Sequence, residues 1–339
     1  MAFVKPSSGM KSMGGSSFSR HYTFVDYATQ GYSLIVALLL LCFHNHTVPG
    51  WARLIAIHVA LGLGIHALIL SNARWSNPIL GFLRHFYPVL LFIWFFAETG
   101  WINRMFFLNY IDEPFIRLEN QIFGCQPSVV LMEKFPNLLL SEILYASYFS
   151  YYLTIGGVGI YLLYRSRDSF FHYVSVVSFV FYICYLLYVF FPIVGPPLFF
   201  NPFERQVLPP EFQAYGQHLI PEALRQGPFH QIIAWLYRMV DGPGAAFPSS
   251  HVAIAWTTVY FSFRYIPRIR YAHAFVAVLL TISTVYCRYH YILDVVAGLL
   301  TAALLIPLAN KLYFSSIGPR ENEVQPPSGA ADRDQTARS

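Results

Sequence analysis

Apolar runs of near-membrane length, repeated along the chain, constrain this sequence more than any other feature. They read as Ala28 to Phe43, Trp51 to Leu70, Arg84 to Ala97, Leu138 to Tyr164, Phe170 to Phe191, Ser250 to Ile266, Tyr271 to Tyr289 and His290 to Tyr313. As a helix, ~20 apolar residues cross the ~30 Å of bilayer hydrocarbon. Backbone amides facing lipid must be satisfied within their own element, which selects helices over open strands. The expected fold class is therefore all-α, a polytopic integral membrane helix bundle of about eight transmembrane helices. Composition agrees: 56% of the 339 residues are hydrophobic and 12% are charged, about half the ~25% charge of a soluble domain. A soluble globular enzyme is excluded.

The organisation reads as one membrane domain over residues 28–313, a cytoplasmic segment over 1–27 and a disordered cytoplasmic tail over 314–339. The first thirty residues are rich in Ser and Gly and carry Lys5, Lys11 and Arg20, with no small-residue cleavage site after the apolar run, so the first span is expected to be retained. Two connections are long, Thr99 to Asn137 and Pro192 to Phe247, and the second holds nine prolines, a density that prevents a continuous helix. With the N-terminus inside, Arg74, Arg84, Arg165, Arg167, Arg264, Arg268 and Arg270 fall on the cytoplasmic side against one acid, Asp168. Both long connections and the turn at Arg288 to His290 then gather on the extracytoplasmic face, periplasmic, extracellular or luminal. The net charge of +5 is scattered, which gives no support to a nucleic-acid partner. Cys42, Cys125, Cys184 and Cys287 form no disulfide or CxxC pattern and read as packing residues. No internal repeat is visible, which weakens an inverted-repeat transporter.

Two stretches carry chemistry. In Asp241 to His251, DGPGAAFPSSH, small and turn residues deliver Ser249, Ser250 and His251 to a helix start. Free amides and the positive dipole end make that start a phosphate cradle with a histidine in reach, or equally a proline-initiated helix with a serine N-cap. In Ser283 to Gly298, STVYCRYHYILDVVAG, His290 and Asp294 stand at i and i+4 on one helix face. That spacing lets the carboxylate hold the Nδ1 proton and leaves Nε2 free to attack. An ionisable residue such as Asp294 in an apolar helix is a functional candidate by default.

Together these motifs resemble the type 2 phosphatidic acid phosphatase superfamily. The PSGH-like second signature is matched by Pro248, Ser249, Ser250 and His251, and the third, SRxxxxxHxxxD, at Ser283, His290 and Asp294. The arginine of the third signature falls on Thr284, and no KxxxxxxRP stands upstream. The branch that includes inositol phosphorylceramide synthase also lacks those basic residues, and FGCQPS (Phe123 to Ser128) and SEILYASYFSYY (Ser141 to Tyr152) are similar to it. The resemblance implies a six-helix catalytic core and metal-independent phosphoryl transfer through a phosphohistidine, with no cofactor. His290 would be the nucleophile, Asp294 its orienting partner and His251 the acid that protonates the departing oxygen. Ser249 and Ser250 would bind phosphate oxygens. The substrate would be a lipid phosphate or phospholipid, with an alcohol or lipid acceptor if the enzyme is a transferase.

With Thr284 uncharged, Arg288 is the first choice for the phosphate's cation, its other role being an interfacial arginine solvated by headgroups. Arg104, Arg117, Lys134, Arg205, Arg225 and Arg238 share that face. Glu142, followed at helical spacing by Tyr145 and Tyr148, could bond a polyol acceptor or an arginine, or cap a helix. His58 and His66 read as packing or interhelical hydrogen bonds. Two further classes remain: a transporter or channel with His251, His290 and Asp294 as a proton relay, and a metalloenzyme using the three as a facial triad, against which the lack of HExxH counts.

Overall fold

The computed structural model of the chain describes residues 21–317 apart from 76, 201–212, 214, 216–219 and 240–243. The described residues form helices α1 (Phe24–Phe43), α2 (Trp51–Arg74), α3 (Pro78–Ile102), α4 (Asp112–Phe123), α5 (Pro127–Lys134), α6 (Leu138–Arg165), α7 (Arg167–Phe190), α8 (Pro196–Phe199), α9 (Glu222–Arg225), α10 (Pro228–Met239), α11 (Ser250–Tyr265), α12 (Arg270–Tyr286) and α13 (Ile292–Ile317). Each apolar run became a helix, namely α1, α2, α3, α6, α7, α11, α12 and α13. Five of these, α1, α2, α3, α7 and α13, are both long and apolar enough to cross a membrane, and α12 is a shorter apolar helix. The chain is an all-α integral membrane protein. At 28 residues α6 is long enough but is diluted by Tyr, Ser and Thr, of which Tyr148 and Tyr151 lie against the site described below.

The helix ends follow ordinary capping. Asn77 accepts from the amides of Ile79 and Leu80 with Pro78 in the first turn, and Asn137 accepts from Leu140 at 3.0 Å. α1 begins at Phe24, ahead of the apolar run, because the Thr23 amide is held by Asp26 at 2.6 Å. α13 runs on to Ile317, so the first residues assigned to the tail are helical. The remainder of the tail and residues 1–20 lie outside the described residues.

α11 packs against α6, α7, α12 and α13, and α7 also contacts α1 and α3. The main apolar core lies between these helices around Val176, Val180, Tyr185, Ala253 and Phe261. Arg84 is not in a loop, as the sequence suggested. It lies inside α3, buried, and bonds to Asp26 of α1, which also accepts from the Tyr87 hydroxyl at 2.6 Å. A desolvated guanidinium there needs a carboxylate partner, and its charge no longer speaks for topology. The two histidines of α2 have the partners expected of packing residues: His58 bonds Glu98 at 2.9 Å and His66 bonds the Tyr22 hydroxyl at 2.6 Å.

Both long connections meet at one end of the bundle. The Ile111 amide donates to the Pro192 carbonyl at 3.0 Å, and the Ala246 amide to the Ile193 carbonyl at 2.9 Å. The Val194 and Gly195 amides donate to the Asp112 carboxylate of α4. Gly195 has φ 79°, and a Cβ there would lie 3.1 Å from the Tyr289 carbonyl, so the connection threads tightly beneath the turn that carries His290.

Candidate active site

That turn is built by the end of α12. The Arg288 amide bonds the Val285 carbonyl, and the amides of Tyr289 and His290 both bond the Thr284 carbonyl, at 3.0 and 2.9 Å. This is a Schellman arrangement in which the left-handed position, usually glycine, is Arg288 with φ 65°. α12 therefore stops at Tyr286 and α13 starts at Ile292. His290 and Asp294 are not two residues of one helix, as the spacing suggested, but a turn residue and a first-turn residue of α13.

They meet nonetheless. His290 Nδ1 lies 3.3 Å from Asp294 Oδ2, which also accepts the Tyr291 amide at 2.9 Å. His251, in the first turn of α11, places Nδ1 3.4 Å from His290 Nε2. The joint between the two helix starts is fixed by the Ser249 amide, which donates to the Asp294 carbonyl at 3.0 Å. His290 and Asp294 are buried and His251 is half-buried. The three side chains form a chain, not a convergent set around one point. Among the described residues no group of three or more His, Cys, Asp or Glu stands where a metal could be held.

The other expected binding residues are placed differently. Ser249 is the N-cap of α11, its Oγ accepting the Val252 amide at 3.4 Å, and Ser250 lies beside the Tyr188 hydroxyl. Arg288 turns to α5, where its guanidinium bonds the Val129 carbonyl at 3.0 Å and Glu133 at 3.1 Å. Burial lowers its pKa, and Glu133 opposes that. Of the remaining cations, Arg117 pairs with Glu113 on α4, Arg104 lies over the Tyr110 ring, and Arg225 bonds the Ile220 carbonyl. Arg205 lies outside the described residues, as does the start of the DGPG stretch. Glu142 resolves as a cap: it accepts the amides of Phe229 and His230 at the start of α10.

Two carboxylates that sequence reasoning missed hold the turn. Asp112 accepts from Val194, Gly195 and the Tyr291 hydroxyl at 3.0 Å, and Glu119 accepts the Leu293 amide at 3.0 Å. Both are buried. Burial and the neighbouring Asp294 charge push each up to about 7, although the amides that donate to them oppose the rise. Glu119 thus caps α13 from another helix, and Asp112 ties Tyr291 to the loop beneath it.

A cluster of tyrosines borders His251. The Tyr148 hydroxyl of α6 lies 3.0 Å from His251 Nε2, and the Tyr151 ring is 4.5 Å from the imidazole, centre to centre. Tyr237 of α10 stacks on Tyr289 at 4.4 Å.

Fold and side chains together define an integral membrane protein in which two histidines and an aspartate are brought together at the starts of two helices. A family model described as the PAP2 superfamily matches residues 115–308, and the chain belongs to that family. The match takes in α5 to α12, both histidine motifs and most of α13, and leaves out α1 to α3. No curated protein matches the chain, and no solved structure does. Members of the superfamily are generally phosphatases, so membership assigns a phosphatase or phosphotransferase type of function, with a phosphorylated lipid or small molecule as substrate.

Proposed function

We propose that the protein is a membrane lipid phosphatase or phosphotransferase that acts through a phosphohistidine on His290. The observation that supports this reading is the chain from Asp294 to His290 to His251, at 3.3 and 3.4 Å, assembled from two helix starts. Asp294 holds Nδ1–H and leaves the Nε2 lone pair of His290 to attack phosphorus. His251 protonates the departing oxygen, and then takes the proton of the water or alcohol that releases the phosphoryl group from nitrogen. The two ring nitrogens touch at 3.4 Å. An in-line phosphoryl group, at a near-attack distance from one ring and hydrogen-bonded through its leaving oxygen to the other, needs about 6 Å between them. The imidazoles therefore part when phosphorus enters.

Ser249 and Ser250 stand at the positive end of α11, where a helix start favours an anion. Arg288 contributes charge from the turn, anchored by Glu133. The likeness to the inositol phosphorylceramide synthase branch, which rests on the missing basic residues of the first and third signatures and on the stretches Phe123 to Ser128 and Ser141 to Tyr152, favours transfer of a phosphoinositol-type headgroup to an alcohol or lipid acceptor. The reaction is metal-independent in this reading. With eight spans and the N-terminus inside, the site faces the periplasmic, extracellular or luminal side.

The test is the fate of radiolabelled phosphate on phosphatidic acid and on phosphatidylinositol, with purified protein, chelator and a diacylglycerol or ceramide acceptor. Label released as free phosphate identifies a phosphatase, and label in a new lipid identifies a phosphotransferase. No movement of label overturns the reading and returns the His/Asp chain to a proton relay of a transporter or channel.

A further inference from the structure

The two histidines differ in what stands behind them. His290 is backed by a carboxylate, whereas His251 is backed by a hydroxyl: its Nε2 lies 3.0 Å from the Tyr148 hydroxyl, and that hydroxyl bonds the Tyr237 hydroxyl of α10. Three elements, α6, α10 and α11, thus contribute one group each to a line that runs on from the histidine pair. The Tyr148 ring packs 4.9 Å from the imidazole and 4.7 Å from Tyr289, so the hydroxyl is held by its ring as well as by Tyr237.

The donor inventory assigns the nitrogens. With the Nδ1 proton of His290 directed at Asp294, His290 Nε2 is an acceptor, and the proton in the 3.4 Å contact belongs to His251 Nδ1. A hydroxyl behind Nε2 serves both charge states of His251. It donates to a bare Nε2, and it accepts from Nε2–H, whether of the imidazolium or of the ring that has given up its Nδ1 proton, while its own O–H hydrogen-bonds to the Tyr237 hydroxyl. A carboxylate in that place would favour the imidazolium alone and oppose loss of its proton.

We propose that Tyr148, held by Tyr237, is a positioning residue that anchors His251 through Nε2 and makes Nδ1 the nitrogen that moves protons. The inference rests on the phosphohistidine reading. In the first step the His290 Nε2–P bond forms as the P–O bond to the leaving group breaks, and the imidazolium of His251 gives its Nδ1 proton to that oxygen. In the second step His251 Nδ1 takes the proton of incoming water or alcohol as P–O forms and N–P breaks, which restores the imidazolium. Nε2 keeps its proton on Tyr148 throughout, and the protons balance.

The experiment compares the first-turnover burst of leaving group from two substrates, using full-length wild type, Tyr148→Phe and Tyr237→Phe in detergent. Phosphatidic acid releases a poor leaving group that needs an acid, whereas p-nitrophenyl phosphate releases a phenolate that departs without one. General acid assistance is worth roughly 10²-fold or more. Tyr148→Phe is therefore expected to slow the phosphatidic acid burst by about 10- to 100-fold and the p-nitrophenyl phosphate burst by less than about 3-fold. Tyr237→Phe should show the same selectivity at smaller size, and it carries the test if Tyr148→Phe unfolds. Equal loss on both substrates, or no loss on either, overturns the proposal. Turnover retained in His290→Ala, which should release leaving group from neither substrate, sinks the phosphohistidine reading instead and separates the two failures.

Discussion

Gly298 gives the sharpest mechanical test of the joint between α11 and α13. A Cβ at this position would lie 2.6 Å from the Ser249 carbonyl oxygen, 3.1 Å from Val252 Cβ and 3.3 Å from Ser249 Cβ. The nearest of these is backbone in the first turn of α11, where the same carbonyl also accepts the Ala253 amide at 3.0 Å. A carbon-to-oxygen contact relaxes at about 3.3 Å, so Gly298→Ala must push α13 away by roughly 0.7 Å. Asp294 lies one turn before Gly298 and His251 two residues after Ser249, so the displacement opens the Asp294–His290–His251 line directly. Misplacement on the 1 Å scale costs on the order of 10²-fold in rate, and Gly298→Ala is expected to lower turnover of phosphatidic acid by about 10- to 100-fold. Stability should fall less, because an overpacking cost of ~1–3 kcal/mol is offset by the ~1 kcal/mol that alanine gains over glycine inside a helix. Initial rates and thermal unfolding of the purified variant measure both. Gly157→Ala in α6, where nothing lies within 4 Å of the added carbon, is the control and should keep its rate without losing melting temperature, which alanine's helix preference can only raise. Wild-type turnover in Gly298→Ala would refute the claim that this contact sets the site.

Other perturbations follow from the same geometry. Asp112 and Glu119 are raised from 3.8 and 4.5 to about 7, so the folded state holds their protons more tightly than the unfolded chain. Their contribution to stability is full below pH ~4 and is lost as pH rises through about 7, by a few kcal/mol each at most at ~1.4 kcal/mol per unit. The melting temperature should therefore fall between pH 5 and 8, and Asp112→Asn with Glu119→Gln should flatten the slope; a slope of opposite sign contradicts the burial argument. Asp294→Asn should cut turnover severely, by analogy with the ~10⁴-fold loss when a protease triad carboxylate is neutralised, and unchanged kinetics would remove it from the site. Arg288→Ala should weaken substrate binding and lower the melting temperature through loss of the Glu133 and Val129 bonds, and unchanged KM would show that its charge does not reach the phosphate.

The long apolar helices were legible because lipid imposes one rule on every residue of a helix. The turn at Arg288 to His290 was legible as the gap between two apolar runs, but its form was not, because nothing in CRYHYILD marks an arginine that takes a left-handed conformation and ends α12 at Tyr286. The His290 and Asp294 side chains still meet, since an i, i+4 contact survives when the first residue sits in the preceding turn. α4 shows the other limit: Glu113 is half exposed beside Arg117, whereas Asp112 and Glu119 on the same helix are buried. Charge alone does not say which carboxylate a helix will turn inward. Tyr148 was visible at helical spacing from Glu142, but only the approach of α10 and α11 gives its hydroxyl partners. Arg288 was chosen for its proximity to His290 in sequence, and the turn sends its side chain to α5.

The most direct measurement is capture of the covalent intermediate. Purified protein is mixed with ³²P-phosphatidic acid, quenched in base within the first turnover and mapped by peptide. Base-stable, acid-labile label is expected on the peptide bearing His290, absent from His290→Ala and failing to form normally in His251→Ala. Brisk turnover with no protein-bound label, or label on another residue, would contradict the phosphohistidine reading.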